Sequence, residues 1–193
     1  MRTEADLGGA LLTIARRAIA SELGLAARAQ PASPELAALA APGATFVTLR
    51  QGGDLRGCIG SVEAFRPLGT DVHANALAAA FRDPRFPPLA LGEYAATAIE
   101  VSLLARSEPL AFGTEADALA QLRPGVDGVI LECGRHRSTF LPQVWEQLPD
   151  AGAFLDALKR KAGLPDGYWS GDVRLARYTV AKFTEDSNAA VSS

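Results

Sequence analysis

The run Leu55-Arg56-Gly57-Cys58-Ile59-Gly60 is the part of this sequence best equipped for chemistry. Two glycines so close inside a strand mean that the backbone bends there or that something approaches it. On a regular strand, residues two apart project to one face, so Arg56 and Cys58 are neighbours while Leu55, Gly57 and Ile59 point away. A guanidinium beside a thiol favours the thiolate and raises its reactivity. The same residues equally suit a small buried cysteine, an arginine paired with a carboxylate, and glycines that only allow twist.

A nucleophilic thiol wants a base or an orienting partner, and the sequence holds two imidazoles, His73 and His136. His73 is the better placed, on a helix that follows the Cys58 strand, although a partly exposed helix residue with no role fits as well. His136 falls in a tight turn and reads as solvated. Glu100, set among strand apolars, must pair, face a cleft, or lie at the surface of a one-sided sheet. The catalytic candidates are therefore Cys58, Arg56, His73 and Glu100. Gly57 and Gly60, with Arg82, Asp83 and Arg85 of the constrained run Arg82-Asp83-Pro84-Arg85-Phe86, are the ligand-binding candidates, a corner suited to an anion or a partner protein. In the alternative, Arg82 and Asp83 only cap a helix and pin the loop.

These groups need a scaffold, and the hydrophobic pattern supplies one. Thr3 is a cap for a helix carrying Leu7, Leu11, Ile14, Ala18 and Ile19 on one side and stopping at Gly24. Ser33-Pro34-Glu35 offers the start of a short second helix. Residues 45–50 and 55–62 read as two strands around Gln51-Gly52-Gly53-Asp54. Residues 67–81 read as a helix with Leu68, Val72, Ala76 and Ala79 or Ala80 inward, ended by the prolines at 84, 87 and 88. Residues 97–104 alternate, with Ile99, Val101 and Leu103 on one face and Glu100 on the other. Thr114 caps a helix to Leu122, and a strand over 126–132 turns through Gly134-Arg135-His136 into 138–141. Thr139 is placed to cap the first of two further helices, over 142–148 and 150–162, and Gly163 is a stop. One last strand spans 173–183. Two strand pairs are hairpins, so the pattern is α+β, a largely antiparallel sheet with helices packed on it.

The 193 residues suit one domain or two packed lobes, and 48% hydrophobic with 21% charged residues is ordinary for a globular fold. A net charge of −3 gives no positive field to displace counterions from a phosphate backbone, so nucleic acid is not an expected partner, and a transcription- or RNA-related role finds no basic stripe. The start Met1-Arg2-Thr3-Glu4-Ala5-Asp6 lacks the features of a secretory signal. The apolar stretches are shorter than the roughly 20 residues a membrane span needs. Two cysteines without paired spacing fit a reduced cytoplasm better than a disulfide framework. No phosphate loop, dinucleotide turn, serine elbow or Cys and His cluster is present, so neither metal nor cofactor is expected.

Five ordered segments resemble the AMMECR domain family, known in prokaryotes as protein A of the AmmeMemoRadiSam system. They are Leu55-Arg56-Gly57-Cys58-Ile59-Gly60, the segment from Asn75-Ala76 to Asp83-Pro84-Arg85-Phe86, Ile99-Glu100-Val101-Ser102, Pro124-Gly125-Val126-Asp127-Gly128-Val129, and Thr139-Phe140-Leu141-Pro142-Gln143-Val144-Trp145. The resemblance spans the chain and implies one domain over residues 1–184, built as two intimately packed lobes. The larger would be an antiparallel sheet with flanking helices, the other smaller, with a disordered tail over 185–193. It also implies a modification pathway shared with a Memo-like protein and a radical S-adenosylmethionine enzyme. This sequence lacks the cysteine cluster a radical enzyme needs, so its place would be accessory or acceptor. Arg135-His136-Arg137-Ser138 departs from the pattern at a turn where the family is richer in glycine. Two readings result: a thiol-based enzyme or accessory component centred on Cys58, or a non-catalytic module that binds a protein or an anion.

Overall fold

Leu11, Ala15, Ala18 and Ile19 lie along one side of helix α1 (Glu4–Glu22) and are buried, the stripe expected from the sequence, and Gly24 ends it at a φ of 71°. The computed structural model of the protein describes residues 4–25 and 37–185. The expected Thr3 cap, the Ser33-Pro34-Glu35 helix start and the tail beyond Glu185 lie outside them. A short helix α2 (Ala37–Ala40) leads into β1 (Pro42–Gln51), which pairs antiparallel with β2 (Asp54–Gly60). Gly52 and Gly53, both at positive φ, make the turn of this hairpin as read from the sequence. The short β3 (Arg66–Pro67) pairs with the start of β1, and Pro67 immediately precedes α3 (Leu68–Phe81) without a side-chain capping hydrogen bond. Leu68, Val72, Ala76, Ala79 and Ala80 of α3 are buried, and they share one core with Val47, Leu49, Ile99 and Val101. Each fully buried Val, Leu or Ile in such a core contributes about 1.5–3 kcal/mol relative to exposure.

After the proline-rich loop comes a 3₁₀ turn (Leu91–Ala96) that no periodicity announces; Glu93 holds it by accepting the Ala90 N–H at 2.8 Å. Strand β4 (Thr97–Leu104) follows with Ile99 and Val101 inward. The residues from Leu104 to Val180 form a second compact unit, distinct from the first, which holds residues 1–103 and 181–193. The second unit contains β5 (Glu108–Pro109), α4 (Glu115–Gln121), β6 (Gly128–Cys133), β7 (His136–Phe140), α5 (Ala151–Lys161) and β8 (Arg174–Tyr178). Its sheet runs β5-β8-β6-β7, all neighbours antiparallel. Thr114 caps α4 as expected, accepting the Asp117 N–H at 3.1 Å, and Asp150 caps α5 by accepting from Ala153 at 2.8 Å. Trp145 stacks on Phe154 with ring centroids 3.7 Å apart and donates its Nε1–H to the Asp127 carbonyl.

The structure departs from four expectations. The last strand is two strands, because Thr179 breaks the run: β8 belongs to the second sheet, while β9 (Val180–Thr184) pairs with β4 in the first, whose order is β2-β1-β4-β9. Strand β6 begins at Gly128, since Arg123 and Asp127 close a turn on each other and leave Val126 46% exposed. Thr139 caps nothing; it lies inside β7 and donates to the Val129 carbonyl, so Leu141 precedes the 3₁₀ turn Pro142–Glu146. His136 opens β7 opposite Cys133, and its Nδ1 lies 2.9 Å from the Ala162 carbonyl instead of facing water alone. Among the described residues, no helix is long and apolar enough to cross a membrane.

Candidate functional site

Among the described residues strand β2 has one neighbour in its sheet, and Cys58 sits in the middle of it, opposite Thr48 of β1. The Thr48 hydroxyl donates to the Cys58 sulfur at 3.3 Å. In an antiparallel pair, residues set closely across from each other turn both backbone groups outward. Cys58 does so, and side chains meet those groups: its N–H donates to Asp83 Oδ2 at 2.9 Å and its carbonyl accepts from Arg85 Nη2 at 3.1 Å. Asp83 and Arg85 also hold each other, Nη2 to Oδ2 at 2.7 Å and Nε to Oδ1 at 2.9 Å. The Pro84 between them makes this two-residue reach rigid. Donation from Arg85 holds the buried Asp83 carboxyl far below its ordinary range, against burial, with the Cys58 and Arg85 N–H groups assisting. Arg85 is correspondingly raised, mainly by Asp83, with burial opposing and the Cys58 side chain contributing. A thiol clasped at both backbone groups and touched by a hydroxyl is an oriented thiol.

Arg56 is not the cation at that sulfur. The register places Gly57 opposite Leu49 and Leu55 opposite Arg50, so Arg56 is the extra residue of a bulge and strict alternation stops there. Leu55, not Arg56, shares a register face with Cys58. Arg56 is instead bound by Glu93, Nε to Oε1 at 2.9 Å and Nη2 to Oε2 at 3.1 Å. Glu93 also accepts from Gln51 and from the Ala90 N–H. Donation from Arg56, then from the Ala90 N–H, lowers the Glu93 carboxyl from 4.5 to about 2, with burial opposing. A carboxyl depressed on folding contributes stability that is present above its unfolded value and lost as pH falls through its folded one. The urea midpoint of the wild type is therefore expected to fall between pH 4.5 and about 2 more steeply than that of Glu93→Gln, and equal slopes would rule this linkage out.

The remaining candidates do not converge on Cys58. His73 is exposed on α3 and pairs with no described residue. Glu100 lies on β4 with Lys182 Nζ at 3.3 Å, which answers its need for a partner without bringing it to the thiol. Arg82 is exposed; its backbone N–H donates to the Ala78 carbonyl, and its side chain has no described partner. The glycines serve packing. A Cβ on Gly57 would lie 2.2 Å from the Ala79 carbonyl oxygen, and one on Gly60 would meet the Phe46 ring at 2.2 Å. The protein's own helix and ring are the groups that approach this strand.

The sequence reading missed a buried polar cluster between α3 and β1. Asp71 is fully buried and accepts from the Thr45 N–H and hydroxyl, Ser61 Oγ, Arg66 Nε and Asn75 Nδ2, all within 3.0 Å. Arg66 donates in turn to Asn75 Oδ1 at 3.2 Å. Asn75 stands out in the sequence only as part of a motif, and no pattern singles out Asp71. Among the described residues, no group of three or more His, Cys, Asp or Glu side chains is arranged to hold a metal ion.

Comparison with known proteins places the chain among relatives. The model of the AMMECR1 family matches residues 12–183. A protein of Methanothermobacter thermautotrophicus is 43% identical over 143 residues, 73% of this chain and 74% of that one. A protein of Thermofilum pendens is 34% identical over 196 residues, covering 95% and 92%. The crystal structure of the uncharacterized protein PH0010 from Pyrococcus horikoshii superposes with a TM-score of 0.77 at 33% identity, covering 91% of this chain and 90% of that one.

Proposed function

The chain belongs to the AMMECR1 family, and on that footing we propose that Cys58 is its reacting group, a thiol that attacks an electrophile or carries a transferred acyl or alkyl group. The observation that carries this reading is the hold on one residue from three sides. Thr48 donates to the sulfur, Asp83 takes the N–H and Arg85 takes the carbonyl. Holding a nucleophile in one geometry removes orientational freedom before the reaction begins. In the reaction the sulfur forms the new bond, the leaving group departs with its electron pair, and the thiol proton passes to solvent.

In this reading the chain is the accessory or acceptor component of a modification pathway that includes a Memo-like protein and a radical S-adenosylmethionine enzyme. Support for that place comes from the family resemblance, together with a total of two cysteines, fewer than the roughly four thiolates that hold an iron–sulfur cluster. A reduced compartment, the cytoplasm, suits both cysteines, which are free.

The test is site-resolved alkylation. Cys58 is expected to react with iodoacetamide at neutral pH roughly tenfold faster than glutathione does, and Thr48→Val to lose most of that advantage. A wild-type rate at Cys58 no greater than that of glutathione would sink the proposal.

A further inference from the structure

We infer that the ground beside Cys58 binds the carboxylate of a small ligand; this rests on the reading of Cys58 as the reacting thiol and adds the substrate class to it. Two arginine–carboxylate pairs meet at one aromatic ring. The guanidinium carbon of Arg56 lies 5.9 Å from the centroid of Phe86, and that of Arg85 lies 5.6 Å from the same centroid. Each guanidinium is held along one edge only. Arg56 gives Nε and Nη2 to Glu93, and Arg85 gives Nε and Nη2 to Asp83.

The remaining nitrogen of Arg56 is the telling one. The residue is 7% exposed, and its Nη1 is buried without any hydrogen-bond partner. A buried charged donor without an acceptor is costly, so a site that keeps one has a use for it or water at it. Glu93, fixed by Gln51 and the Ala90 N–H, locks the guanidinium in place and makes the open edge a prepared donor. Nη1 of Arg85 likewise bonds no described oxygen, and Arg85 already touches the Cys58 carbonyl through Nη2.

Charge selects the ligand. Glu93 and Asp83 are matched by Arg56 and Arg85, and Arg82, exposed and without a described partner, leaves the neighbourhood positive. A monoanion is favoured, and a dianion such as phosphate is held back by two carboxylates close by. A carboxylate accepts guanidinium N–H groups side by side. A ligand held on the open edge of Arg85 would lie beside Cys58, whose carbonyl Arg85 already meets, with the Arg56 guanidinium at the same Phe86 ring.

Paired alkylating reagents test this. Iodoacetate and iodoacetamide both lose iodide to the sulfur and differ in the carboxylate. Followed at Cys58 by peptide mass spectrometry, the iodoacetate-to-iodoacetamide rate ratio is expected to exceed that of glutathione by roughly tenfold, and to fall to the glutathione ratio in Arg56→Gln. If Arg56→Gln does not fold, Arg85→Gln carries the same comparison. A wild-type ratio equal to that of glutathione overturns the carboxylate site, even when both reagents react quickly and the thiol reading stands. A second arm is independent of reactivity: at constant ionic strength, acetate is expected to raise the Tm of Cys58→Ser and to leave that of Cys58→Ser with Arg56→Gln unmoved. Equal shifts in the two chains, or none, overturn the inference whatever the thiol does.

Discussion

Asp71→Ala is expected to cost about 3–5 kcal/mol of folding stability, the range seen when one partner of a buried charged pair is removed. The carboxylate accepts five hydrogen bonds, four of which join the start of α3 to β1, Ser61 and Arg66 while the fifth comes from Asn75 of the same helix. Truncation leaves the Thr45 N–H with a void where its acceptor stood, and strips Arg66 Nε of its ion pair. Asp71→Asn keeps the shape but turns one oxygen into a donor. The Thr45 and Asn75 side can still be met, whereas Arg66 Nε loses its charged acceptor and Arg66 keeps only the contacts of Nη2, so about half the loss is expected. Urea unfolding followed by circular dichroism checks both, with the slope of the transition unchanged. A loss under about 1 kcal/mol for Asp71→Ala would show that water replaces the carboxylate, and that the cluster does little for stability.

Gly57→Ala is expected to destabilise by about 2–3 kcal/mol, because overpacking a filled core forces the backbone to move. The obstacle is a carbonyl oxygen of α3, 2.2 Å from the new methyl, and not a side chain that could rotate away. β2 must lift from the helix, and Cys58, one residue on, moves with it while Asp83 stays tied to the helix end. The same variant should therefore slow alkylation of Cys58 about tenfold through loss of orientation. A variant of wild-type stability and wild-type Cys58 reactivity would mean that the helix gives way freely, and that the glycine is not there for close approach.

Much of the scaffold is legible in the sequence because it is local. The apolar stripe of α1, the Ala-rich inner side of α3, the Gly52-Gly53 turn and the cap at Thr114 all depend on residues within a few positions of one another. Cys58 and the run 82–86 stand out in the sequence and do meet, through Asp83 and Arg85. The illegible part is non-local. Glu93 claims Arg56 across 37 positions, and the strand pattern, though its glycines allow a bend, does not show that the extra residue is Arg56. Thr179 divides an unbroken β-like run between two sheets, which only the partners of each half can decide. Nothing local marks Asp71, whose five donors do not come from one contiguous stretch.

The fork of Asp83 and Arg85 also decides what cannot happen to β2. An unpaired strand margin is an invitation for another chain to zip alongside it, and proteins discourage this by planting charges on the open row of peptide groups. Here one carboxylate and one guanidinium already occupy the peptide groups of Cys58, so a second molecule would have to evict both before its own backbone could pair. The fork thus acts as a guard against self-association along β2, where two copies of Cys58 would be brought side by side and could oxidise to a cross-link.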